Sequence, residues 1–377
     1  MEEKIKHILF LSSWYPTKRK PFLGNFIQRQ AKLFSSKYKV TVLHLSSDNN
    51  LKSLETVISE EGNLKEIIIY HPKGRNIFSK YFFLKKAFKE GLKNIEAVDF
   101  IQGNVLFPKG LQFSWAKNHY KCPLILMEHS SAFHLSKGQK LSFKDSFTLS
   151  RVYPKVDGVI AVSEVLKNEL QPFFVQKPIF ILPNHIDSVK FKLNKKKKDK
   201  ETIEFLHVST LDERFKNPKG MIDACDILIK NGVNNFHFTI ICDEDYQNWE
   251  LYSKKLNLSD YITFKGPFNW SEVASFYQKS DCFILFSTYE TFSIVLAEAW
   301  SSGTPTITTP VGIASNLNNE LGISVEKNNT NELATAMEAF ISGKKTFDAE
   351  KIKLYAERFS EKEVISHYDS ILQSLTK

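Results

Sequence analysis

Short apolar runs alternate along this chain with stretches in which apolar residues recur every three or four positions. The runs HILFL (7–11), VTVLHL (40–45), EIIIY (66–70), FIQGNV (100–105), LILM (124–127), GVIAV (158–162) and IFILP (179–183) have the length and β-branched content of buried strands. Residues 25–34, between the first two, have helical spacing. The second half repeats the plan with IEFLHV (203–208), FHFTIIC (236–242), ITFKG (262–266), CFILF (282–286) and TPTIT (304–308). Strands alternating with helices build parallel, doubly wound sheets. Two such sets predict an α/β protein with two Rossmann-like domains.

The length of 377 residues fits that division, since one core rarely serves more than about 250–300 residues. The join is expected near 183–200, where PNHID precedes the lysine run 195–198, a like-charge segment suited to a linker. The expected domains are 1–187 and 188–355, with a final helical segment at 356–377. No apolar run approaches the roughly 20 residues that span a bilayer. Cys122, Cys225, Cys242 and Cys282 are scattered without metal-ligand spacing, which favours a reducing compartment and no structural zinc. A cytoplasmic protein is expected.

Charge changes this picture. Residues 1–190 carry 29 Lys and Arg against 16 Asp and Glu, a balance of +13, and the remainder carries −4. A one-sided excess points to an anionic partner, nucleic acid or membrane surface, or to a lysine-dressed surface. No aromatic-basic RNA motif accompanies it, so nucleic acid is not expected. Residues 80–95, KYFFLKKAFKEGLKNI, are amphipathic if helical. They suit either an anionic membrane on the inner face of the cell or ordinary packing on a sheet.

The most unusual stretch is YETFSIVLAEAW (289–300). A strand precedes it, and Gly303 and Pro305 follow it, so 291–300 is predicted as a helix. Glu290 then sits at a helix start, favourable for dipole reasons alone. Glu298 lies among Phe292, Ile294, Val295, Leu296, Ala297, Ala299 and Trp300. A carboxylate on so apolar a helix needs donors, from the protein or from sugar hydroxyls.

The pattern E-x7-E followed by A-x-x-x-G-T-P resembles that of the retaining GT-B glycosyltransferases of family 4. Matching stretches follow in order: W-Y-P-x(7)-G-N-F (14–26), MEHS (127–130), AVSE (161–164), PNHID (183–187), FLHVSTLDERFKNPKG (205–220), FKG (264–266) and RFS (358–360). The resemblance implies two Rossmann-like domains facing a central cleft, acceptor on the first and donor on the second, with the last helix crossing back to the first. It implies transfer of a sugar from a nucleoside-diphosphate sugar to a glycan or lipid-linked acceptor, without a metal or other cofactor.

By the same resemblance, Glu290 binds donor-sugar hydroxyls and Glu298 the ribose hydroxyls. Thr291, Phe292 and Ser293 offer backbone amides to the diphosphate. Ser293 stands where the family usually has glycine. Lys216 neutralises the diphosphate. Ser209 occupies the place of a family G-R-L sequence, and Arg214 is a nearby candidate for its arginine. Gly24 and Gly266 match donor-side glycines. His129 matches a histidine beside the reacting centre, with Ser130, Glu128 and His134 as neighbours. Lys18 and Arg19 precede Gly24 and are candidates for an anionic acceptor. His129, Lys216 and Glu290 are thus the expected catalytic set.

Competing readings are weaker. A nicotinamide dehydrogenase needs G-x-G-x-x-G after the first strand, and this chain has SSWYPTKRKPFLG there. A GT-B nucleotide-sugar epimerase or hydrolase would share the fold. The D-x-D at 243–245 could hold a metal in a different class of glycosyltransferase, but it reads here as a solvated turn.

Overall fold

The apolar runs become two sheets. The computed structural model describes residues 5–135, 139–193 and 202–375. The lysine run 195–198 lies outside the described residues. The chain divides into two compact units, Met1–Asn184 with Ile365–Lys377, and His185–Val364.

The first unit holds β1 (His7–Ser12), β2 (Lys39–Asp48), β3 (Glu55–Glu61), β4 (Leu64–Pro72), β5 (Phe100–Asn104), β6 (Leu124–Glu128), β7 (Gly158–Ala161) and β8 (Ile179–Ile181). They lie in the order β3-β4-β2-β1-β5-β6-β7-β8. All neighbours are parallel except β3 and β4. β3 carries no apolar run and is mostly exposed, an edge strand of charged residues that the apolar pattern does not reveal. The second unit holds β9 (Ile203–Val208), β10 (Phe236–Ile241), β11 (Ile262–Lys265), β12 (Cys282–Leu285), β13 (Thr306–Thr308) and β14 (Gly322–Ser324). Their order is β11-β10-β9-β12-β13-β14, all parallel.

Strand order reverses at β1/β5 in the first sheet and at β9/β12 in the second. Such switch points are where doubly wound sheets bind ligands, beyond the carboxyl ends of the strands. The core of the second unit gathers Phe205, Ile222, Phe238, Ile240, Ile284 and Phe286, each nearly or fully buried. The last helix, Glu361–Ser374, contributes its residues from Ile365 onward to the first unit. There Tyr368 stacks on Phe34 at 4.1 Å and donates to Gln102 Oε1 at 2.5 Å. Tyr38 and Lys37 bond Asp369.

The structure corrects one helix. Residues 291–300 do not form a single helix, because Ser293 adopts φ 75° and the helix runs Ile294–Ser301. Glu290 therefore lies in a loop and not at a helix start. Thr291–Ser293 precede the helix. The helix Ile77–Leu92 is real and begins with a reciprocal Asn76–Ser79 cap. Its buried residues, Ala87, Phe88 and Gly91, lie toward its end, whereas Ile77, Phe78, Tyr81 and Phe82 are exposed. Among the described residues no helix is long and apolar enough to cross a membrane.

Candidate functional site

In the second unit, the loops after β9 and β12 meet at the switch point. Asp212 begins the short helix Glu213–Lys216 by accepting from Arg214 N. The loop after β12 is stitched to it: Thr288 N donates to Phe215 O at 2.7 Å, and Thr288 Oγ1 to Arg214 O at 3.1 Å. This brings Lys216 Nζ to 2.5 Å from Glu290 Oε1, which also accepts from Ser287 Oγ at 2.9 Å. Both charged side chains are largely shielded, at 19% and 12% exposure. A shielded pair is less screened by water than a surface one.

Ser293 follows Glu290 by three residues. It is buried, holds a left-handed backbone and has a hydroxyl with no hydrogen-bond partner. The peptide N–H groups that open the following helix give this end an affinity for anions. On the strand side, His207 Nδ1 donates to Ile284 O at 2.8 Å, so its Nε2 accepts from Ser209 Oγ at 2.7 Å. Ser209 Oγ in turn accepts from Leu211 N. Burial pushes the His207 pKa down to about 4, which keeps the ring neutral. Ser209 is thus a brace for the loop that carries Lys216.

Glu298 is buried and already has protein donors. Its Oε1 accepts from Trp270 Nε1 at 2.7 Å and its Oε2 from Tyr277 OH at 3.1 Å. Burial and the Glu298 charge push the Tyr277 hydroxyl well above its ordinary pKa. The carboxylate ties the helix Ile294–Ser301 to the helix Trp270–Lys279. That pairing accounts for an acid in an apolar helix without any ligand, although a carboxylate has lone pairs to spare for a diol. The donors lie 28 and 21 residues away, so no local spacing announces them.

Arg214 takes a different place. Its guanidinium grips Asp212 at 2.6 and 3.0 Å and is 77% exposed, so the structure does not add it to the Lys216–Glu290 pair. Gly266 has φ 126°, and a Cβ there would stand 2.1 Å from Cys242 O. Packing alone requires that glycine. Asp243, Glu244 and Asp245 form an exposed turn, and no metal-holding cluster occurs among the described residues.

In the first unit, Gly24 has φ 72°, and a Cβ would come within 2.7 Å of Trp14 C and O. The loop after β1 therefore passes close under the start of the helix Asn25–Phe34. Lys18 and Arg19 in that loop are paired with Glu55 at 3.0 Å and Asp48 at 2.6 Å. Ser130 is buried and begins a short turn by accepting from Ala132 N.

His129 is the outlier of this unit. It follows β6, is 7% exposed and packs on Phe26 with ring centres 4.8 Å apart. Neither ring nitrogen has a partner. Burial pushes its pKa down to about 3, so it is a neutral imidazole, one donor and one acceptor. A buried polar group without partners calls for an explanation. Glu128 beside it is fully buried and accepts from the amides of Leu106, His129 and Ser130. Its pKa is raised by burial, with those bonds opposing. Glu128 holds the loop that presents His129. His134 is bonded to Glu169.

Two family models match in succession. Glycosyltransferase Family 4 covers residues 23–190, and Glycosyl transferases group 1 covers 188–359. The chain belongs to glycosyltransferase family 4 and has the GT-B fold. It is a glycosyltransferase. An uncharacterised glycosyltransferase of Methanocaldococcus jannaschii is 28% identical over 84% of this chain and 88% of its own. The alpha-monoglucosyldiacylglycerol synthase of Streptococcus pneumoniae is 26% identical over 56% of this chain and 51% of its own. Among solved structures, the lipopolysaccharide outer core galactosyltransferase WaaB superposes with TM-score 0.74 at 16% identity, covering 98% of this chain and 99% of its own. Anabaena HepE, solved with UDP and glucose, gives 0.70 at 16% identity, covering 98% and 100%. At these identities the structural likeness is one of fold.

Within the second unit, this glycosyltransferase thus brings Lys216 and Glu290 together, with Ser293 three residues on from Glu290 and Ser209 bracing the loop of Lys216. Sequence reasoning missed Ser287, which bonds Glu290, and Phe26, which covers His129. Ser287 lies three residues before Glu290, between the strand and the predicted helix. Phe26 closes the W-Y-P-x(7)-G-N-F motif, but nothing local shows that it covers His129.

Proposed function

We propose that this glycosyltransferase is a retaining enzyme that moves a sugar from a nucleoside-diphosphate sugar to a glycan or lipid-linked acceptor, in surface polysaccharide or glycolipid synthesis. The carrying observation is the shielded Lys216–Glu290 pair at the β9/β12 switch point, with the unpartnered Ser293 hydroxyl three residues on in the same loop. Lys216 meets the diphosphate and stabilises the charge that develops as it leaves. Glu290 accepts from donor-sugar hydroxyls, and Ser293 Oγ and the amides behind it donate to phosphate oxygens. The spare lone pairs of Glu298 receive the ribose diol.

The acceptor oxygen attacks the anomeric carbon on the face the diphosphate leaves. The carbon–oxygen bond to phosphate breaks, and the acceptor proton passes to the departing phosphate oxygen. Configuration is thereby retained without a carboxylate nucleophile. Neutral His129, in the first unit, offers a hydrogen bond to the sugar or the acceptor hydroxyl. No step requires a metal, so chelators should leave activity unchanged.

The names of the relatives support this reading: a galactosyltransferase, a glucosyldiacylglycerol synthase and a structure holding UDP. The exposed aromatic end of the helix Ile77–Leu92, with Lys80, Lys85 and Lys86 about it, suits contact with an anionic membrane from the cytoplasmic side. A thermal-shift screen over nucleoside diphosphates and their sugars tests the donor. A ligand at a hundred times its Kd stabilises by about 2.7 kcal/mol. A folded protein unmoved by every one of them would overturn the proposal.

A further inference from the structure

A second charged feature lies at the switch point of the first sheet, on residues given no role above. Lys109 follows β5, and its side chain is turned inward and partly buried. Its Nζ donates to Leu45 O and stands 3.5 Å from His44 Nε2. His44 Nδ1 lies 3.0 Å from Ser12 O, so Nδ1 carries the proton and Nε2 presents a lone pair. Two of the three ammonium donors are thus used by the protein. The third has no partner among the described residues, and no carboxylate there forms an ion pair with Lys109.

The neighbouring charge has the same sign. Burial, with a smaller contribution from the Lys20 charge, pushes the Lys109 pKa down to about 8. Lys20 is exposed and forms no ion pair among the described residues, unlike Lys18 and Arg19 beside it. The two loops are joined where Lys109 N donates to Ser13 Oγ at 3.0 Å. β1 and β5, which precede these loops, are the neighbours at which strand order reverses. A desolvated cation without a protein counter-ion is costly. Lys109 is such a cation at the ligand-binding edge of the sheet, and with the exposed Lys20 on the adjoining loop it forms a site for an anion.

We infer that Lys109 and Lys20 form an anion subsite on the first unit that takes a phosphoryl group of the acceptor. This deepens the proposed function and rests on the first unit being the acceptor unit. A phosphoryl group suits the chemistry, since its several oxygens can accept from more than one ammonium group. The group can belong to a lipid-linked phosphate or to a soluble one.

The test is calorimetric binding of inorganic phosphate and of a short-chain prenyl phosphate to the full chain. The background is Lys216→Met, which removes the donor-side cation. In that background each probe should bind. Lys109→Met, whose side chain keeps much of the aliphatic bulk, should lower affinity at least tenfold, Lys20→Ala several-fold, and Lys109→Arg should restore part of the loss. Tighter binding of the prenyl phosphate than of phosphate supports a lipid-linked source, and equal binding supports a soluble one. Phosphate binding unaffected by Lys109→Met and Lys20→Ala, or absent throughout, overturns the subsite. Nucleotide-sugar binding by Lys109→Met is measured separately. If it persists while the subsite fails, the donor reading stands. Lys20→Ala changes only an exposed side chain, so the answer does not depend on how well Lys109→Met folds.

Discussion

Lys216 Nζ and Glu290 Oε1 stand 2.5 Å apart, although 74 residues separate them in the chain. The pair exists because two loops at one switch point are sewn together through Thr288. Lys216→Met should therefore cost about 2 kcal/mol or more of nucleoside-diphosphate binding, roughly thirtyfold. Calorimetry with the diphosphate of the true donor measures it, and unchanged affinity would remove Lys216 from the donor site.

Ser293→Gly should stabilise the protein by about 1 kcal/mol. Glycine relieves a left-handed backbone worth about 1–2 kcal/mol and removes a buried hydroxyl without a partner, against a smaller entropic loss. A higher urea midpoint at unchanged slope would show it. If the Ser293 hydroxyl donates to the diphosphate, the same variant binds the nucleotide more weakly.

Glu298→Ala should destabilise by about 3 kcal/mol, because it removes the acceptor of the Trp270 indole and the Tyr277 hydroxyl. Tyr277→Phe should cost about 1 kcal/mol. Glu298→Gln keeps an acceptor oxygen and should fold, so it is the variant that reports on ribose binding. A stable Glu298→Gln with unchanged nucleotide affinity would make Glu298 a purely structural brace.

Acid should weaken the fold through its buried histidines. His129 and His207 have pKa values pushed down to about 3 and about 4, below the ordinary value of about 6.5. The unfolded chain therefore takes up protons first as pH falls below 6.5, and stability declines. Each contributes a loss of about 2 kcal/mol between pH 6.5 and pH 5. Urea titrations at the two pH values check the total, to which His44, whose pKa burial also lowers, adds its own share. His129→Phe, which leaves no ring nitrogen to titrate, should flatten the dependence.

Phe78→Ser with Phe82→Ser should reduce binding to anionic vesicles at least tenfold. Two exposed aromatic side chains of about 1.5–3 kcal/mol each supply the apolar part of the contact. Co-sedimentation with vesicles of anionic and of neutral lipid at low and high salt reads it. Retention by neither kind of vesicle would argue that these residues meet another partner.

The two sheets were legible because parallel strands are buried on both faces and appear as continuous apolar runs. β3 was not legible, since an edge strand needs no apolar face. The helix after β12 was placed three residues too early. Helical spacing of apolar residues cannot show that Ser293 turns left-handed, a choice made by packing of that loop.

The sequence by itself determined the division into two α/β units, the family, and the residue types available for diphosphate and sugar chemistry. These depend on periodicity and on motifs read locally. Only the tertiary structure decided which charges meet. It joined Lys216 to Glu290, tied Arg214 to Asp212, gave Glu298 its donors from Trp270 and Tyr277, left the His129 ring nitrogens without partners, and turned Lys109 onto Leu45 O and His44 rather than onto a carboxylate. Side-chain partnership across tens of residues depends on strand order and loop closure, and neither is written in the spacing of any single segment.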